Sequence, residues 1–508
     1  MSKIASFISL VMVKLDRNEK TPLHRQLYKM LRQEILIGQL KPGTRLPPTR
    51  TLAQELGVAR NTVNNAYKQL LVEGYLESKV GSGTRVTKRL PEELLQVNSG
   101  RNHQGELVQE EETAPALLRG QAASKPRVSE CGTAMMQIPY RWEKTQACAF
   151  NSTLPAVDAF PFKLWEKLLI PSWRSVSSQH LGYQSVLGYR PLREAVAAYL
   201  QTGRGVRCTA DRVIITNGTQ QALTTTARLL LNKGDTAWVE NPCYDGIKAV
   251  LSAAMAKIAP IPVYAEGLVV SHGIANAPHA RLAYVSPSHQ YPLGVTMSLT
   301  RRLELLHWAQ ESRAWILEDD YDSEYRYAGY PLAALQGLDN AGRVIYVGTF
   351  SKVLFPALRV GYMVVPQSLI EPFRAARAHT DRGTTLLEQV VLTRFINERH
   401  FARHIRHMRT LYAERQAVFI VAAQKYLKGL LDVQPSTAGL HLVGWLPDGC
   451  DDEAIAQKLL ENGIDTPALS SFAITPLSRK GLVIGYAAVP TNEIAGAVKR
   501  MGRVLAKI

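Results

Sequence analysis

Five short apolar runs, separated by stretches of helical periodicity, constrain the fold of the chain from residue 150 onward. The runs cover residues 213–216, 236–240, 281–286, 314–320 and 344–348. Buried strands of a parallel sheet read as short, nearly continuous apolar runs, and the helices between them cover both faces of the sheet. This alternation predicts an α/β fold with a mostly parallel sheet.

Polar residues follow the first four runs, at the positions where the strands would end. Residues 216–220 follow the first run and open a helix, whose free backbone N–H groups suit a phosphate. Tyr244 follows the second run and can stack on a flat ring, and residues 286–294 follow the third. Because ligands of parallel sheets bind at the carboxyl ends of the strands, these residues predict a ligand site.

The fourth run ends in an acidic cluster that contains Asp319, Asp320 and Tyr321. Neighbouring carboxylates repel each other unless a cation lies among them. A protonated pyridine nitrogen is such a cation, and its protonation makes pyridoxal 5′-phosphate (PLP) an electron sink. Tyr321 can then donate to the phenolate oxygen of the ring.

The fifth run leads through Gly348, Thr349 and Ser351 to Lys352, and a second apolar run follows. An uncompensated buried ammonium is costly, whereas a desolvated lysine has a lowered pKa and forms a Schiff base with a carbonyl. The nearby hydroxyls and Arg359 can hold a phosphate. Together these residues predict PLP bound at Lys352. The alternative interpretation of this stretch alone is a surface lysine beside a strand end.

Positive charge is concentrated at the N-terminal end. Residues 1–90 contain 16 Lys and Arg against 6 Asp and Glu, whereas the whole chain has a net charge of +17. Such asymmetry indicates an anionic partner for this end, with nucleic acid first and a membrane surface second.

The five cysteines are scattered and none forms a CxxC pair, so neither a disulfide framework nor a metal site is predicted. A reducing cytoplasm fits this usage. The apolar stretch from Ile4 to Val13 is too short for a membrane span and lacks a convincing signal cleavage site. We therefore expect a cytoplasmic protein.

The basic end has the pattern of a helix-turn-helix followed by a hairpin. One helical pattern begins at Leu23 and a second at Thr49, and Gly57 supplies a tight turn before a third over residues 60–71. Residues 73–86 then alternate like a small hairpin with a glycine-rich tip, which would form a wing.

Three motifs in this region are similar to the winged helix-turn-helix of GntR-type regulators, over roughly residues 20–87. They are Leu52-Ala-x-x-Leu-Gly-Val-x-Arg60-x-Thr62-Val63, Glu73-Gly-Tyr75 and Gly81-Ser-Gly-Thr84. The resemblance implies that this end is a DNA-binding domain.

Position along the motif predicts the DNA contacts. The residues at or near the start of the third helix, which can enter the major groove, are Arg60, Asn61, Thr62, Asn64 and Asn65. Arg50, at the start of the second helix, is placed for a phosphate. The wing residues that can hold the DNA backbone or minor groove are Lys79, Ser82 and Arg85. The alternative for each is a solvated polar side chain.

The strand-end signals and the lysine together resemble the fold-type I aminotransferases, over roughly residues 150–508. The resemblance implies that Lys352 forms the Schiff base, that Asp319 meets the pyridinium nitrogen, and that Tyr321 meets the phenolate oxygen. Asp320 remains an alternative to Asp319. Tyr244 would stack on the ring, and His289 and Gln290 can touch its oxygen. The implied phosphate-binding residues are Gly218, Thr219, Gln220, Thr349 and Arg359.

A GntR-type head joined to an aminotransferase-like body resembles the MocR/GabR group of transcription regulators. The supporting motifs begin at Gly182 (GYQSVLGYRPLR), Pro287 (PSHQYP) and Glu318 (EDDYDSE). The resemblance implies a head-to-tail homodimer whose operator binding is modulated by PLP or by an amine or amino acid that forms an aldimine. We expect a DNA-binding domain over residues 1–88, a linker over 89–140 that is mostly disordered or lightly docked, and a PLP-binding effector domain over 141–508.

The sequence departs from aminotransferases at two positions. Val483 stands where many of these enzymes have an arginine for the substrate α-carboxylate, although Arg479 is nearby. Gly246 stands where some relatives have a basic group. We therefore expect sensing rather than catalysis. The alternatives are a true aminotransferase with an appended DNA-binding domain, and a PLP-free scaffold in which Lys352 is structural.

Overall fold

The computed structural model describes residues 15–17, 19, 21–79, 83–88, 128–138, 148–180, 182–327 and 333–508. The chain divides into two compact units, Met1–Arg127 and Val128–Ile508. Among the described residues, no helix has the length and apolar character that a bilayer span requires. The apolar stretch Ile4 to Val13 and most of the predicted linker lie outside the described residues.

The smaller unit is a three-helix head with a hairpin. Its elements are α1 (Leu23–Leu36), α2 (Thr49–Glu55), α3 (Arg60–Val72), β1 (Leu76–Lys79) and β2 (Gly83–Val86). Leu27, Leu31, Val63 and Leu70 are fully buried at the centre of one apolar cluster. The two strands are antiparallel, with Leu76 opposite Val86. The predicted helix-turn-helix and wing are therefore confirmed.

The larger unit is built on an eight-stranded sheet. Its strands are β3 (Val213–Thr216), β4 (Thr236–Asn241), β5 (Lys257–Tyr264), β6 (Gly267–Leu268), β7 (Leu282–Val285), β8 (Trp315–Asp320), β9 (Val344–Thr349) and β10 (Gly361–Val364). The spatial order is β3-β10-β9-β8-β7-β4-β5-β6. Strands β9, β8, β7, β4 and β5 are parallel, which confirms the predicted mostly parallel sheet.

The apolar run after Lys352 is β10, which is antiparallel to both of its neighbours, β9 and β3. The chain therefore reverses direction between β9 and β10. This reversal holds Lys352 and Arg359 at the same edge of the sheet as the ends of the parallel strands.

Helices cover both faces of the sheet. The helices of the larger unit are α4 (Glu130–Met136), α5 (Phe162–Arg174), α6 (Arg190–Arg204), α7 (Thr219–Leu230), α8 (Asp245–Ala253), α9 (Val270–Asn276), α10 (Leu299–Glu311), α11 (Leu335–Leu338), α12 (Ile370–Thr380), α13 (Leu386–Asn397), α14 (His400–Tyr426), α15 (Asp452–Glu461) and α16 (Thr491–Leu505). Ile214 packs with Leu223 of α7, whereas its neighbour Ile215 packs with Val196 of α6 in a separate cluster. Successive strand residues thus fill cores on opposite faces.

A smaller antiparallel sheet follows the long helix α14. It consists of β11 (Asp432–Val433), β12 (His441–Trp445) and β13 (Gly481–Gly485). This sheet carries His441 and Val483, two positions that bear on the candidate site.

Helix α4 lies inside the stretch that we expected to be a mostly disordered or lightly docked linker. The Ser129 hydroxyl caps it by accepting from the Gly132 N–H at 3.1 Å. The Cys131 thiol donates to the carbonyl of Ala253, at the end of α8, at 3.2 Å. These contacts attach α4 to the larger unit. The exact domain limits remain predictions.

Candidate functional site

The ends of four strands lie side by side. Asp320 at the end of β8 pairs with Gly348 of β9, and Thr349 of β9 pairs with Gly361 of β10. Gly361 in turn pairs with Thr216 at the end of β3. The acidic cluster, the hydroxyls before Lys352 and the start of α7 are therefore brought to one edge, as the sequence predicted.

The start of α7 forms one wall of the site. Gly218 immediately precedes the helix with φ 95°, a left-handed conformation that favours glycine. A Cβ atom there would lie 3.5 Å from Nη2 of Arg359, which donates to the Asn217 carbonyl at 2.9 Å. The free N–H groups of Thr219 and the residues after it thus lie beside a guanidinium group. Such a combination suits a phosphate.

The hydroxyl residues of the loop after β9 complete this wall. Thr349 is buried, and its hydroxyl accepts from the Ser351 N–H at 3.1 Å. The Ser351 hydroxyl is buried and has no hydrogen-bond partner among the described residues. The sequence indicated the Ser351 hydroxyl only as one of a group of hydroxyls before Lys352, and its lack of a partner is visible only in the structure.

Gln220 supports Tyr244. Its side-chain amide donates to the Gly246 carbonyl at 3.0 Å, and its carbonyl oxygen lies 3.5 Å from the Tyr244 hydroxyl. A Cβ atom on Gly246 would lie 2.2 Å from the Tyr244 ring and 2.4 Å from the Gln220 side chain. A basic residue at position 246 would therefore displace both.

The two adjacent aspartates have different environments. The Tyr284 hydroxyl donates to Oδ2 of Asp319 at 2.7 Å, while Oδ1 of Asp319 is buried and has no hydrogen-bond partner among the described residues. Burial raises the pKa of Asp319 to about 7. Asp320 instead forms a 2.8 Å ion pair with buried Arg204 and accepts from the Tyr346 hydroxyl at 2.6 Å. Of the two aspartates, Asp319 is the one with a buried oxygen that lacks a hydrogen-bond partner among the described residues.

Lys352 lies near the carboxylates of Asp319 and Asp322. It is partly buried, and its ammonium donates to the carbonyl of Thr153. Burial lowers the pKa of Lys352 from 10.5 to about 8, although the negative charges of Asp322 and Asp319 act in the opposite direction. Desolvation therefore dominates, as expected for a lysine that must release its proton to react.

His289 connects Tyr321 with Asp322. Nδ1 of His289 lies 3.0 Å from the Tyr321 hydroxyl and 2.9 Å from Oδ2 of Asp322. Gln290 was predicted to touch a ring oxygen, but its side-chain amide already donates to the Pro242 carbonyl at 2.8 Å. His289 therefore orients the predicted phenolate partner, and Gln290 supports the loop.

His441 was not predicted from the sequence. Its ring lies 5.2 Å from that of His289, and its Nε2 donates to the Pro292 carbonyl at 3.0 Å. Burial lowers the pKa of His441 to about 3. His289, Asp322 and His441 each offer a ligand atom within 4.8 Å of the others, a composition that can bind a divalent metal. No sequence spacing links β12 to this loop, so only the fold brings them together.

Position 483 on β13, where many aminotransferases have a carboxylate-binding arginine, is apolar in this chain. Val483 is buried in a cluster with Leu469 and Phe472. Arg479 forms a 3.3 Å ion pair with Asp432 and lies 4.8 Å from the Trp445 ring centroid. The nearby arginine thus already has two partners.

The start of α3 is exposed in the smaller unit. Arg60 and Asn61 are exposed and Thr62 and Asn64 are partly exposed, whereas Val63 is buried. Arg50, the second residue of α2, is also exposed.

The wing is described only in part. Arg85 donates to the Gly43 carbonyl at 3.1 Å. Lys79 is the last residue of β1, and Ser82 lies outside the described residues. The DNA-binding roles of all these residues remain predictions.

Two family models match the chain. The model described as "Bacterial regulatory proteins, gntR family" matches residues 23–86, and "Aminotransferase class I and II" matches residues 164–501. Fold and sequence together define a GntR-type winged helix-turn-helix joined to a fold-type I aminotransferase-like domain.

Relatives combine the same two domains over their whole length. The chain is 41% identical over 491 residues to the probable rhizopine catabolism regulatory protein MocR of Rhizobium meliloti, covering 96% of this chain and 95% of that protein. It is 28% identical to the pyridoxine biosynthesis transcriptional regulator PdxR of Corynebacterium glutamicum, covering 93% and 94%. The chain belongs to the MocR/GabR family of transcription regulators.

A solved structure of similar fold is the Pyrococcus horikoshii kynurenine aminotransferase, determined in complex with PMP. It has a TM-score of 0.66 and 28% identity, and it covers 75% of this chain and 95% of its own. The larger unit therefore has the fold of an enzyme that binds a pyridoxal-type cofactor.

Proposed function

We propose that this regulator binds PLP at the edge formed by β8, β9 and α7, and that occupancy of Lys352 changes its affinity for operator DNA. The observation that carries the proposal is the buried Oδ1 of Asp319, which has no hydrogen-bond partner among the described residues. A protonated ring nitrogen would supply both the missing donor and a compensating positive charge.

The residues present fit the cofactor. Lys352 would hold its aldehyde carbon, Asp319 its ring nitrogen and Tyr321 its phenolate oxygen, with Tyr244 against the ring. The residues that would hold its phosphate are Gly218, Thr219, Thr349, Ser351 and Arg359. When bound, PLP supplies an aldehyde that reacts reversibly with primary amines.

The chain's own groups prepare the site for an amine. The lowered pKa of Lys352, about 8, leaves a far larger fraction of its amine uncharged near neutral pH than the ordinary value of 10.5 would. Asp322 and His289 hold Tyr321 in a fixed orientation. The names of the MocR and PdxR relatives refer to rhizopine and pyridoxine, so PLP itself or a small amine or amino acid is the proposed effector.

Sensing is favoured over steady transamination. An enzyme must position its substrate as well as bind it. Here the expected position of the carboxylate-binding arginine is Val483, which is packed among apolar side chains. Sustained turnover of a common amino acid would favour the alternative of a working aminotransferase.

We also infer that the protein acts as a head-to-tail homodimer. Helix α5 exposes an apolar face: Phe162 is 64% exposed, Ile170 48% and Trp173 60%. Contiguous exposed apolar residues are typical of association surfaces. A dimer would present two heads to two operator half-sites.

The test is a spectral titration of the full chain with PLP, repeated with Lys352→Ala. We expect a new absorption band near the visible edge in the wild type, absent in the variant, and borohydride should leave the cofactor attached at Lys352. Operator affinity should then differ between PLP-loaded and cofactor-free wild type but not in the variant. An unmodified Lys352 after borohydride would overturn the proposal.

A further inference from the structure

A small cavity of about 150 Å³ lies where the last turns of α6 meet the loop after β8 and helix α14. Its lining includes Tyr199, Arg204, Ser323, Glu324, Arg326 and Arg409. None of these residues has a role in the proposed cofactor or DNA sites. At about 30 Å³ per water molecule, the space equals roughly five waters and is sufficient for a small polyatomic ion.

Three guanidinium groups contribute to this lining, and only one is paired with a carboxylate. Arg204 forms its ion pair with Asp320. Arg326 donates to the Thr296 hydroxyl at 3.2 Å, and Nε of Arg409 donates to the backbone carbonyl of Glu324. In the described part of the chain, neither Arg326 nor Arg409 has a carboxylate within ion-pair distance.

The charges of Arg204 and Arg326, the two less exposed arginines of the lining, repel each other. Burial lowers the pKa of Arg326 and neighbouring Arg204 adds to this effect, whereas the charge of Asp322 opposes it. Confining like charges in a small, partly desolvated space is unfavourable unless a counter-ion is present. An anion in the cavity would remove this cost.

Glu324 restricts which anion fits. The Tyr199 hydroxyl donates to Oε1 of Glu324 at 2.6 Å, whereas Oε2 is buried and has no hydrogen-bond partner among the described residues. The hydroxyl of Ser323 is likewise buried and has no hydrogen-bond partner among the described residues. A carboxylate repels a fully ionised oxyanion but accepts a hydrogen bond from a protonated one. Hydrogen phosphate carries such a proton, whereas sulfate does not.

We propose that this cavity binds a tetrahedral oxyanion that carries a proton, namely inorganic hydrogen phosphate. Arg326 and Arg409 hold its charged oxygens, and Glu324 accepts from its hydroxyl. The Ser323 hydroxyl is the additional neutral partner.

The experiment uses the full-length chain with Arg359→Gln, so that the proposed cofactor-phosphate site loses its cation and binds the probe only weakly. Equilibrium dialysis with labelled inorganic phosphate should detect one ion per chain. Adding Arg326→Gln or Arg409→Gln should weaken binding by about tenfold or more, because each removes a charge-assisted hydrogen bond. Arg406→Gln, an exposed arginine of the same helix that is not part of the lining, is the matched control and should have no effect.

A second arm tests Glu324. At a pH where Glu324 is ionised, sulfate should compete poorly with labelled phosphate. Glu324→Gln keeps an acceptor for Tyr199 and adds an N–H donor, so sulfate should then compete effectively. Glycerol 3-phosphate, a monoester whose dianion carries no proton, should also compete poorly with the wild-type carboxylate present.

Two results would overturn the proposal. The first is phosphate binding unchanged by both Arg326→Gln and Arg409→Gln. The second is equal competition by sulfate with and without Glu324→Gln. Because Arg409 is exposed on α14, its variant should fold even if the Arg326 variant does not, and circular dichroism checks both.

Discussion

At the residue scale, the adjacent carboxylates Asp319 and Asp320 show how position on a strand separates two chemically identical groups. Successive side chains point to opposite faces of a sheet. One carboxylate is therefore directed to the candidate cofactor site beside Tyr284, and the other to Arg204 and Tyr346. The sequence left both open for the ring nitrogen, and the hydrogen bonds of the structure favour Asp319.

This difference predicts that two matched substitutions affect different properties, one the affinity for PLP and the other the free energy of unfolding. Asp319→Asn keeps an acceptor for Tyr284 but loses the charge, so we expect PLP affinity to fall by about tenfold or more, about 1.4 kcal/mol. Asp320→Asn should leave PLP affinity nearly unchanged but lower the free energy of unfolding by about 3 kcal/mol or more, because it leaves the buried Arg204 charge uncompensated. PLP titration and urea unfolding of both variants separate these outcomes. The reverse assignment would follow if Asp320→Asn alone weakened cofactor binding.

The pKa of Lys352 gives a second prediction at this scale. Its value in the folded protein is about 8, below the 10.5 of an unperturbed lysine. Between these values the unfolded chain holds a proton that the folded chain has released, so this group makes the free energy of unfolding rise with pH. In cofactor-free protein, acylation of Lys352 should accordingly reach its half-maximal rate near pH 8. Mass spectrometry of labelled peptides measures this, with Lys233, whose side chain is 73% exposed, as the internal reference. Identical pH profiles for the two lysines would contradict a desolvated amine.

At the scale of elements, the spacing of apolar residues in helix α3 both fills the core of the head and leaves polar residues exposed. Val63, Ala66 and Leu70 recur at helical spacing and fill the core of the head. The same spacing leaves Arg60 and Asn61 exposed at the start of the helix. A helix held by its buried face and free at its N-terminal end is suited to enter a major groove.

This arrangement predicts different kinds of loss for two arginines. Arg60→Ala should weaken operator binding by about 1–3 kcal/mol and reduce discrimination against altered operators, because it removes a base contact. Arg50→Ala should weaken binding to operator and scrambled DNA about equally. It should also reduce the slope of log K against log salt concentration by about one, because it removes a phosphate contact. Gel-shift titrations at several salt concentrations with operator and scrambled DNA distinguish them. Unchanged operator affinity in the Arg60 variant would place the recognition surface elsewhere.

At the scale of the whole molecule, the protein joins a basic head to a larger unit that carries the candidate cofactor site. Each unit has its own apolar core, so each can keep its fold while their arrangement changes. Regulation requires two arrangements of the units that bind the effector with different affinities. In the proposed dimer, the second protomer provides the surface on which the two arrangements can differ.

The exposed face of α5 gives the prediction at this scale. Trp173→Glu places a charge in an apolar surface and should shift the protein from dimer toward monomer in sedimentation velocity, with a change of about tenfold or more in the dissociation constant. Tyr264→Glu, an equally exposed aromatic residue at the end of β5, is the control and should not shift it. An unchanged sedimentation profile for Trp173→Glu would exclude α5 from the interface.

Local sequence signals determined much of this protein: the three helices and hairpin of the head, the five strands β3, β4, β7, β8 and β9, and the residues at their ends. These features depend on periodicity and on residues close together in the chain, which a sequence displays directly. The resemblance to aminotransferases then assigned roles to Lys352, Asp319 and Tyr321.

Only the tertiary structure revealed the antiparallel direction of β10, the helix α4, the place of His441 beside His289, and the arginine-lined cavity. Each depends on contacts between segments far apart in the chain, such as Cys131 with Ala253 or Arg409 with Glu324. An apolar run has the same composition whether the neighbouring strand is parallel or antiparallel to it. Whether a buried polar atom has a hydrogen-bond partner depends on which residues the fold packs around it. Long-range packing, which no local pattern encodes, decided these features.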